Sequence, residues 1–96
     1  MSATLTLPAV LTHAESAVFA SGLNPQMFAQ ALEVVADASA LRQFDSSALA
    51  LLLECRRHAH AAGKRFSVFS APPRLRELAV LYGVAEFIPA TATVTA

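Results

Sequence analysis

A short cluster of acidic and hydroxyl side chains, Asp45-Ser46-Ser47, stands directly before the longest uninterrupted apolar run of the chain, Ala48 to Leu53. Side-chain oxygens in this position can accept hydrogen bonds from the first free N–H groups of a helix. A serine hydroxyl there can also accept a phosphate, since the positive end of the helix dipole favours added negative charge. We therefore interpret Ser46 first as a helix-capping residue and second as a candidate phosphate acceptor.

The other residue types capable of catalysis or metal binding have the wrong spacing for it. His58 and His60 are two positions apart, so on a helix their side chains diverge by about 200° and cannot share a metal ion. The single cysteine, Cys55, cannot hold a structural zinc by itself, and its apolar position favours a buried thiol. The serines lie in no GxSxG motif, and the three glycines match no phosphate-binding loop. No catalytic residue, metal or cofactor is expected, and a hydrolase or transferase is the least favoured class.

A long amphipathic helix is predicted from Ser46 to Ala62. Its apolar residues recur at positions i, i+3, i+4, i+7, i+11 and i+14, which places them on one helix face. These residues are Ala48, Leu51, Leu52, Cys55, Ala59 and Ala62. The Asp-Ser-Ser cluster marks the beginning of the helix, and Gly63 stands where a left-handed cap would end it.

Further apolar residues of the same helix lie away from this core face. Leu49 and Leu53 fall on its flank, and Leu53 is about 140° from Ala48, so part of its side chain should reach solvent. Arg56 and Arg57 would border these leucines. An apolar patch bordered by arginines is typical of a protein docking surface. The alternative, that neighbouring loops cover the leucines, has equal weight from the pattern alone.

The remaining segments alternate between strand and helix patterns. Strands are predicted over Thr4 to Leu7, Ala9 to Thr12, Leu32 to Ala38, Phe66 to Ser70 and Ala85 to Pro89, and helices over His13 to Ser21 and from Pro72-Pro73 to Gly83. Residues 26–30 fit either a helical turn or a loop. This order predicts an α/β domain with a mixed sheet of four to five strands, backed by helices that share one face. Residues 1–90 form one predicted domain, and 91–96 are expected to fray.

Length and charge exclude several classes of protein. The 96 residues, 55% of them hydrophobic and with a formal net charge of zero, suit one small domain. All seven basic residues lie between Arg42 and Arg76, where only Asp45 and Glu54 oppose them. We expect an acidic protein partner rather than nucleic acid, because a neutral chain lacks the broad basic face that phosphate contacts need. The short apolar runs and the absence of basic residues before Arg42 predict a cytoplasmic location without membrane insertion.

Three stretches of the sequence resemble the STAS domain family. They are Val34 to Leu41, Phe44 to Leu53 with its Asp-Ser-Ser cluster and leucine-rich helix, and Gly63-Lys64 before a strand. The similarity extends over roughly residues 3 to 90 and is closest to the MlaB-like branch, which Leu75 to Val84 also resembles. Members of that branch are small cytoplasmic subunits of the bacterial ABC transporter that maintains outer-membrane lipid asymmetry.

The resemblance implies a role for the start of the second long helix. In MlaB-like proteins this region faces the transporter's ATPase subunit, which implies that Asp45, Ser46, Ser47, Leu49 and Leu53 contact that partner. In the anti-sigma-factor antagonists of the family, the residue after this aspartate is phosphorylated, and here that residue is Ser46. The sequence has Ala48 where most relatives have glycine, a change that keeps a small residue but reduces backbone freedom.

These observations lead to one functional hypothesis and one alternative. The hypothesis is a non-enzymatic regulatory subunit, held at the inner membrane by the ATPase and, through it, the permease. Its predicted partner-binding residues are Asp45, Ser46, Ser47, Leu49, Leu53, Arg56 and Arg57. The alternative is an anti-sigma-factor antagonist regulated by phosphorylation of Ser46. Self-association of the free chain through the same leucines is left open.

Overall fold

The computed structural model describes residues 2–91. Six strands lie within this range: β1 (Ser2–Thr6), β2 (Val10–Leu11), β3 (Glu33–Asp37), β4 (Gln43–Phe44), β5 (Arg65–Phe69) and β6 (Ala90–Thr91). Three α-helices connect them: α1 (His13–Ser21), α2 (Ser47–Ala61) and α3 (Pro73–Leu81). Short 3-10 turns occupy Pro25–Phe28 and Ala85–Phe87. The predicted order of strands and helices is thus largely confirmed.

The main sheet has four strands in the order β1-β3-β5-β6. Leu5 pairs with Ala36, and Ala36 pairs in turn with Val68 on the next strand. The α/β class and the four helix-backed strands are confirmed, but every strand pair within residues 2–91 is parallel, whereas mixed directions were expected. The reason is that each connection in the main sheet carries a helix, which returns the chain to the same end of the sheet before the next strand begins.

One hydrophobic cluster lies between the sheet and the helices. It joins alternate strand residues to α2 and α3, so these helices cover the same face of the sheet, as predicted. Its members from the main sheet include Leu5, Val34, Ala36, Phe66 and Val68. Val35, whose side chain points to the opposite face, is also buried, which agrees with the apolar run predicted for a central strand.

Helix α2 carries the predicted core face. Ala48, Leu51, Leu52, Cys55 and Ala59 are buried, and Ala62 is half-buried just beyond the helix. Burial raises the pKa of the Cys55 thiol to about 12, so the thiol stays protonated at neutral pH.

Gly63 follows the helix at φ 75°, a conformation that favours glycine. With 15 residues, α2 is the longest helix, and none among residues 2–91 is long and apolar enough to cross a membrane.

Two segments near the chain end differ from prediction. Residues 85–87 form a 3-10 turn, where a strand was expected over Ala85 to Pro89. The side chain of Ile88 is buried in the core, and the chain pairs with β5 only after it, through Ala90 and Thr91. Thr91, the first residue of the tail that was expected to fray, pairs with Phe69. The rest of that tail, 92–96, lies outside the described residues.

Candidate functional site

The site is built on a short parallel ladder that joins the segments preceding α1 and α2. Leu11 of β2 pairs with Phe44 of β4, and the two strands form a separate two-stranded sheet. The chain enters α1 directly after Thr12 and α2 directly after Ser46. The beginnings of the two helices are therefore neighbours. Strand β2 was predicted over Ala9 to Thr12 and is limited to Val10–Leu11, whereas β4 was not predicted.

Asp45, and not Ser46, caps α2. The Asp45 carboxylate Oδ1 accepts a hydrogen bond of 2.8 Å from the backbone N–H of Ser47. Ser46 already has helical backbone angles, φ −62° and ψ −17°, and its side chain makes no capping bond. A capping hydroxyl requires an extended backbone, so the prediction of Ser46 as the cap is wrong. Its exposed hydroxyl forms no hydrogen bond with the described part of the chain.

A second carboxylate, that of Glu15, lies near enough to Asp45 for the two charges to interact. On the first turn of α1, the Thr12 hydroxyl donates a hydrogen bond to Glu15. This bond is the main reason why the pKa of Glu15 is below its ordinary value, and the nearby charge of Asp45 opposes the effect. Neither carboxylate forms an ion pair with a cation among residues 2–91. The start of α2 is thus locally acidic, although the surrounding sequence has an excess of basic residues.

The leucines of the predicted docking surface have different positions. Leu49 is only 2% exposed and belongs to the hydrophobic core, which corrects its assignment as a partner contact. The core surrounds α2 over a wider arc than the predicted stripe, so a residue about 100° from Ala48 is covered. Leu53 is half-buried against the core and Ala50 is exposed.

The exposed side of α2 forms a narrow row of side chains, which we call the α2 ridge. It consists of Ser46, Ala50, Leu53 and Arg57, spaced at i, i+4, i+7 and i+11. The predicted patch is therefore partly open: Leu53 contributes apolar surface to it, and Leu49 does not. Neighbouring parts of the chain cover Leu49 completely and Leu53 only in part.

The two arginines of the predicted border point in different directions. Arg57 pairs with Glu54 one turn earlier, which raises the pKa of Arg57 and lowers that of Glu54. The guanidinium of Arg56 instead lies over the Phe87 ring, with its Cζ 4.9 Å from the ring centroid, a cation–π contact. Arg57 remains on the ridge, whereas Arg56 faces the turn after α3.

An open groove runs along the ridge, between α1 and α2. Its volume is about 470 Å³, and we call it the α1–α2 groove. The α2 side is formed by Ser47, Ala50, Leu51 and Glu54, and the α1 side by His13, Ser16, Ala17, Ala20 and Ser21. The α1 residues were missed in the sequence analysis. Their spacing of i, i+3, i+4, i+7 and i+8 was the available signal, since it places small side chains on one helix face.

Ser16 is the exceptional residue of the groove. It is 6% exposed, the only buried polar or charged residue among those described, and its Oγ has no hydrogen-bond partner there. The hydroxyl of Ser21, by contrast, donates to the carbonyl oxygen of Val18. Small side chains line most of the groove, so another chain could approach both helix backbones closely.

Within residues 2–91, no three histidine, cysteine or acidic side chains lie close enough together to hold a metal ion. On α2, His58 is half-buried and His60 is exposed, in line with the expected divergence of their side chains. The only hydroxyl at the start of α2 that is both exposed and unengaged is that of Ser46.

Comparison with known proteins identifies the family of this chain. A family model described as "Mlab, STAS domain" matches residues 1–89. A search of curated proteins gave no match. The parallel α/β sheet backed by three helices agrees with the fold of this family, whose members generally have regulatory or adaptor roles. The chain belongs to the STAS domain family, of the type that the matching model describes as Mlab.

Proposed function

We propose that this protein is a non-enzymatic adaptor that binds the ATPase subunit of a bacterial phospholipid-transporting ABC complex through the α2 ridge. The observation that carries the proposal is the α2 ridge, formed by exposed Ser46, Ala50 and Arg57 with half-buried Leu53 between them, in a chain of the Mlab type. Leu53 would supply apolar contact area, and Arg57 with Glu54 would fix the orientation of the partner.

The effect on the transporter would come from selective binding. A subunit without chemistry of its own shifts ATPase activity only if it binds one conformation or assembly of the ATPase better than another. The adaptor would then reside in the cytoplasm, held at the inner membrane through the ATPase and the permease. No insertion of the adaptor into the bilayer is needed in this arrangement.

The proposal can be tested with the purified ATPase of the lipid-transporting ABC system encoded in the same genome. Gel filtration should give a stable complex with the wild-type chain. Leu53→Asp should abolish the complex, because the substitution places a charge in the apolar contact. Leu81→Asp is the matched control, since Leu81 is 76% exposed on α3.

A second ridge variant protects the test against misfolding. Leu53 also packs against the core, so Leu53→Asp must give the circular dichroism spectrum of the folded wild type. Arg57→Glu changes an exposed side chain and should weaken the same complex. A complex that survives both substitutions, or that Leu81→Asp weakens equally, contradicts docking through the ridge.

One observation favours a second function, that of an anti-sigma-factor antagonist controlled by phosphorylation. The Ser46 hydroxyl is exposed and is not used as a cap, so a kinase could reach it without breaking a hydrogen bond of the fold. Incubation with serine kinases of the same genome, followed by intact-mass measurement, tests this function. Addition of one phosphate to the wild type but not to Ser46→Ala supports it, and an unchanged mass favours the transporter adaptor.

A further inference from the structure

The outer side of α3 carries a large exposed apolar surface. Val80, Leu81 and Tyr82 are 69%, 76% and 56% exposed, and they are three of the seven large apolar side chains that are exposed within residues 2–91. The inner side of the same helix, with Leu75 and Ala79, is fully buried in the core. A helix at the surface of a monomer is usually polar on its outer side, so the apolar end of α3 indicates an interaction surface.

Five exposed residues form the outer face of α3, which we call the α3 stripe. They lie within an arc of about 120° around the helix. From the beginning of the helix to its end they are Pro73, Arg74, Glu77, Val80 and Leu81. The stripe therefore has apolar groups at both ends and one cation and one anion between them. A shallow depression of about 460 Å³ lies along the second half of this face.

The two charges of the α3 stripe are not used within the fold. Among residues 2–91, neither Arg74 nor Glu77 forms an ion pair or a side-chain hydrogen bond. Arg76, which lies between them in the sequence, instead donates a hydrogen bond to the carbonyl oxygen of Ile88. Because the free charges of the stripe cancel, the stripe favours neither a strongly charged protein nor an anionic lipid surface.

A second copy of this chain matches the stripe group by group. In an antiparallel pair of helices, the order of groups along one stripe is reversed on the other, so the cation of each copy meets the anion of its partner. The apolar end of each copy meets the proline end of the other. A surface that is complementary to itself is what a two-fold interface requires. The formal net charge of the chain is zero, so two copies do not repel each other.

We propose that the α3 stripe binds the α3 stripe of a second copy, with the two helices antiparallel about a two-fold axis that crosses the stripe between Arg74 and Glu77. Each Arg74 then lies opposite Glu77 of the second copy. Val80 and Leu81 pack against the Pro72-Pro73 entry of the other helix. The contact uses no residue of the α2 ridge, so the inference does not rest on the proposed function.

The dimer should be weak, because α3 has only nine residues and a contact between two such faces is smaller than a standard protein interface. We expect a dissociation constant on the order of 0.1 mM. Sedimentation equilibrium of the full chain, from about 5 µM to about 1 mM, is the measurement. The average mass should rise over this range from that of one chain toward that of two.

A charge placed in the apolar part of the stripe should dissociate the dimer. Leu81→Asp should raise the dissociation constant at least about tenfold, and it should leave the fold intact because Leu81 is largely exposed. Val18→Asp is the matched control, since Val18 is exposed to a similar degree but lies on α1. It should dimerise like the wild type. A dimer that Leu81→Asp does not weaken, or that Val18→Asp weakens equally, contradicts the proposed contact.

Exchanging the two charges tests the antiparallel pairing. Arg74→Glu gives a stripe with two acidic residues, and Glu77→Arg gives a stripe with two basic ones. Each variant alone should dimerise at least about tenfold more weakly than the wild type, because like charges meet across the interface. An equimolar mixture of the two variants should associate at least as strongly as the wild type, since every facing pair is then attractive. A mixture that associates no better than the separate variants overturns this pairing.

The remaining outcomes separate the dimer from the proposed function. A wild-type chain that stays monomeric at about 1 mM overturns the inference but leaves docking through the α2 ridge unaffected. The ATPase complex is tested at a few micromolar, where the chain alone should be monomeric. If Leu81→Asp loses the ATPase complex and the wild-type chain alone does not dimerise, the stripe belongs to the ATPase contact and the inference is wrong.

Discussion

Leu11 and Phe44 are direct partners in the two-residue parallel ladder of β2 and β4, and this ladder sets the two helix starts side by side. Residues that are 33 positions apart in the sequence are thereby joined, and Thr12 and Asp45, which directly follow them, both precede the start of a helix. The candidate site is consequently a property of two helices. Its ridge belongs to α2, and its groove is shared with α1.

The assignment of Asp45 as the cap of α2 predicts unequal effects for two neighbouring substitutions. Asp45→Ala should lower the free energy of unfolding by about 1 kcal/mol, because the N–H of Ser47 loses its acceptor. Ser46→Ala should change it by less than about 0.5 kcal/mol, since its hydroxyl caps nothing. Urea unfolding of both variants measures the difference. A larger loss in Ser46→Ala would return the capping role to Ser46.

Because Thr12 donates a hydrogen bond to Glu15, we expect part of the stability of the fold to be lost at acidic pH. The pKa of Glu15 in the folded chain lies below its ordinary value of 4.5. Its contribution to stability is therefore complete above that ordinary value and is lost as the pH falls through the lowered one. The pKa of Glu54 is lowered by Arg57, so Glu54 also contributes stability that is lost as the pH falls.

The substitution Thr12→Val measures how much Glu15 contributes to this loss of stability in acid. The variant keeps the side-chain shape but removes the donated hydrogen bond, so its stability should fall less steeply between about pH 5 and about pH 3 than that of the wild type. Urea midpoints over this range are the measurement, with Thr4→Val on β1 as the control. Equal slopes for Thr12→Val and wild type would contradict the role of this bond.

Leu49 is buried and Leu53 is only half-buried, so we expect substitution of Leu49 to change stability and substitution of Leu53 to change partner binding. Leu49→Ala should cost about 2–5 kcal/mol of stability, because it leaves a cavity in the core. Leu53→Ala should cost about 1 kcal/mol and mainly weaken partner binding. Denaturant unfolding and binding measurements on both variants provide the comparison. A stable Leu49→Ala chain with lost binding would restore Leu49 as a contact residue.

The environment of Cys55 predicts an unreactive thiol. Its side chain is fully buried, and burial raises its pKa to about 12, so almost no thiolate exists at neutral pH. A thiol reagent such as dithionitrobenzoate should label the native chain only through unfolding. Labelling that becomes fast in urea and stays slow in buffer is the expected result. Rapid labelling of the native chain would place Cys55 near the surface.

The sequence by itself determined the local elements and their inward faces. The repeat of Ala48, Leu51, Leu52 and Cys55 specified the core side of α2, and the run Val34 to Ala36 specified a strand buried on both faces. Each pattern involves only residues of one helix or one strand, so both can be recognised without knowledge of the tertiary fold. The Asp-Ser-Ser cluster also marked the region of α2 where the candidate site lies.

Only the tertiary structure decided which sides of these elements stay open. The flank of α2 that carries Leu49 is covered and the flank that carries Ala50 is open, because the neighbours of each flank come from distant parts of the chain. The α1–α2 groove depends on the pairing of β2 with β4, and β4 was not predicted from the sequence. A helix period specifies the direction in which a side chain points, whereas its accessibility depends on what packs there.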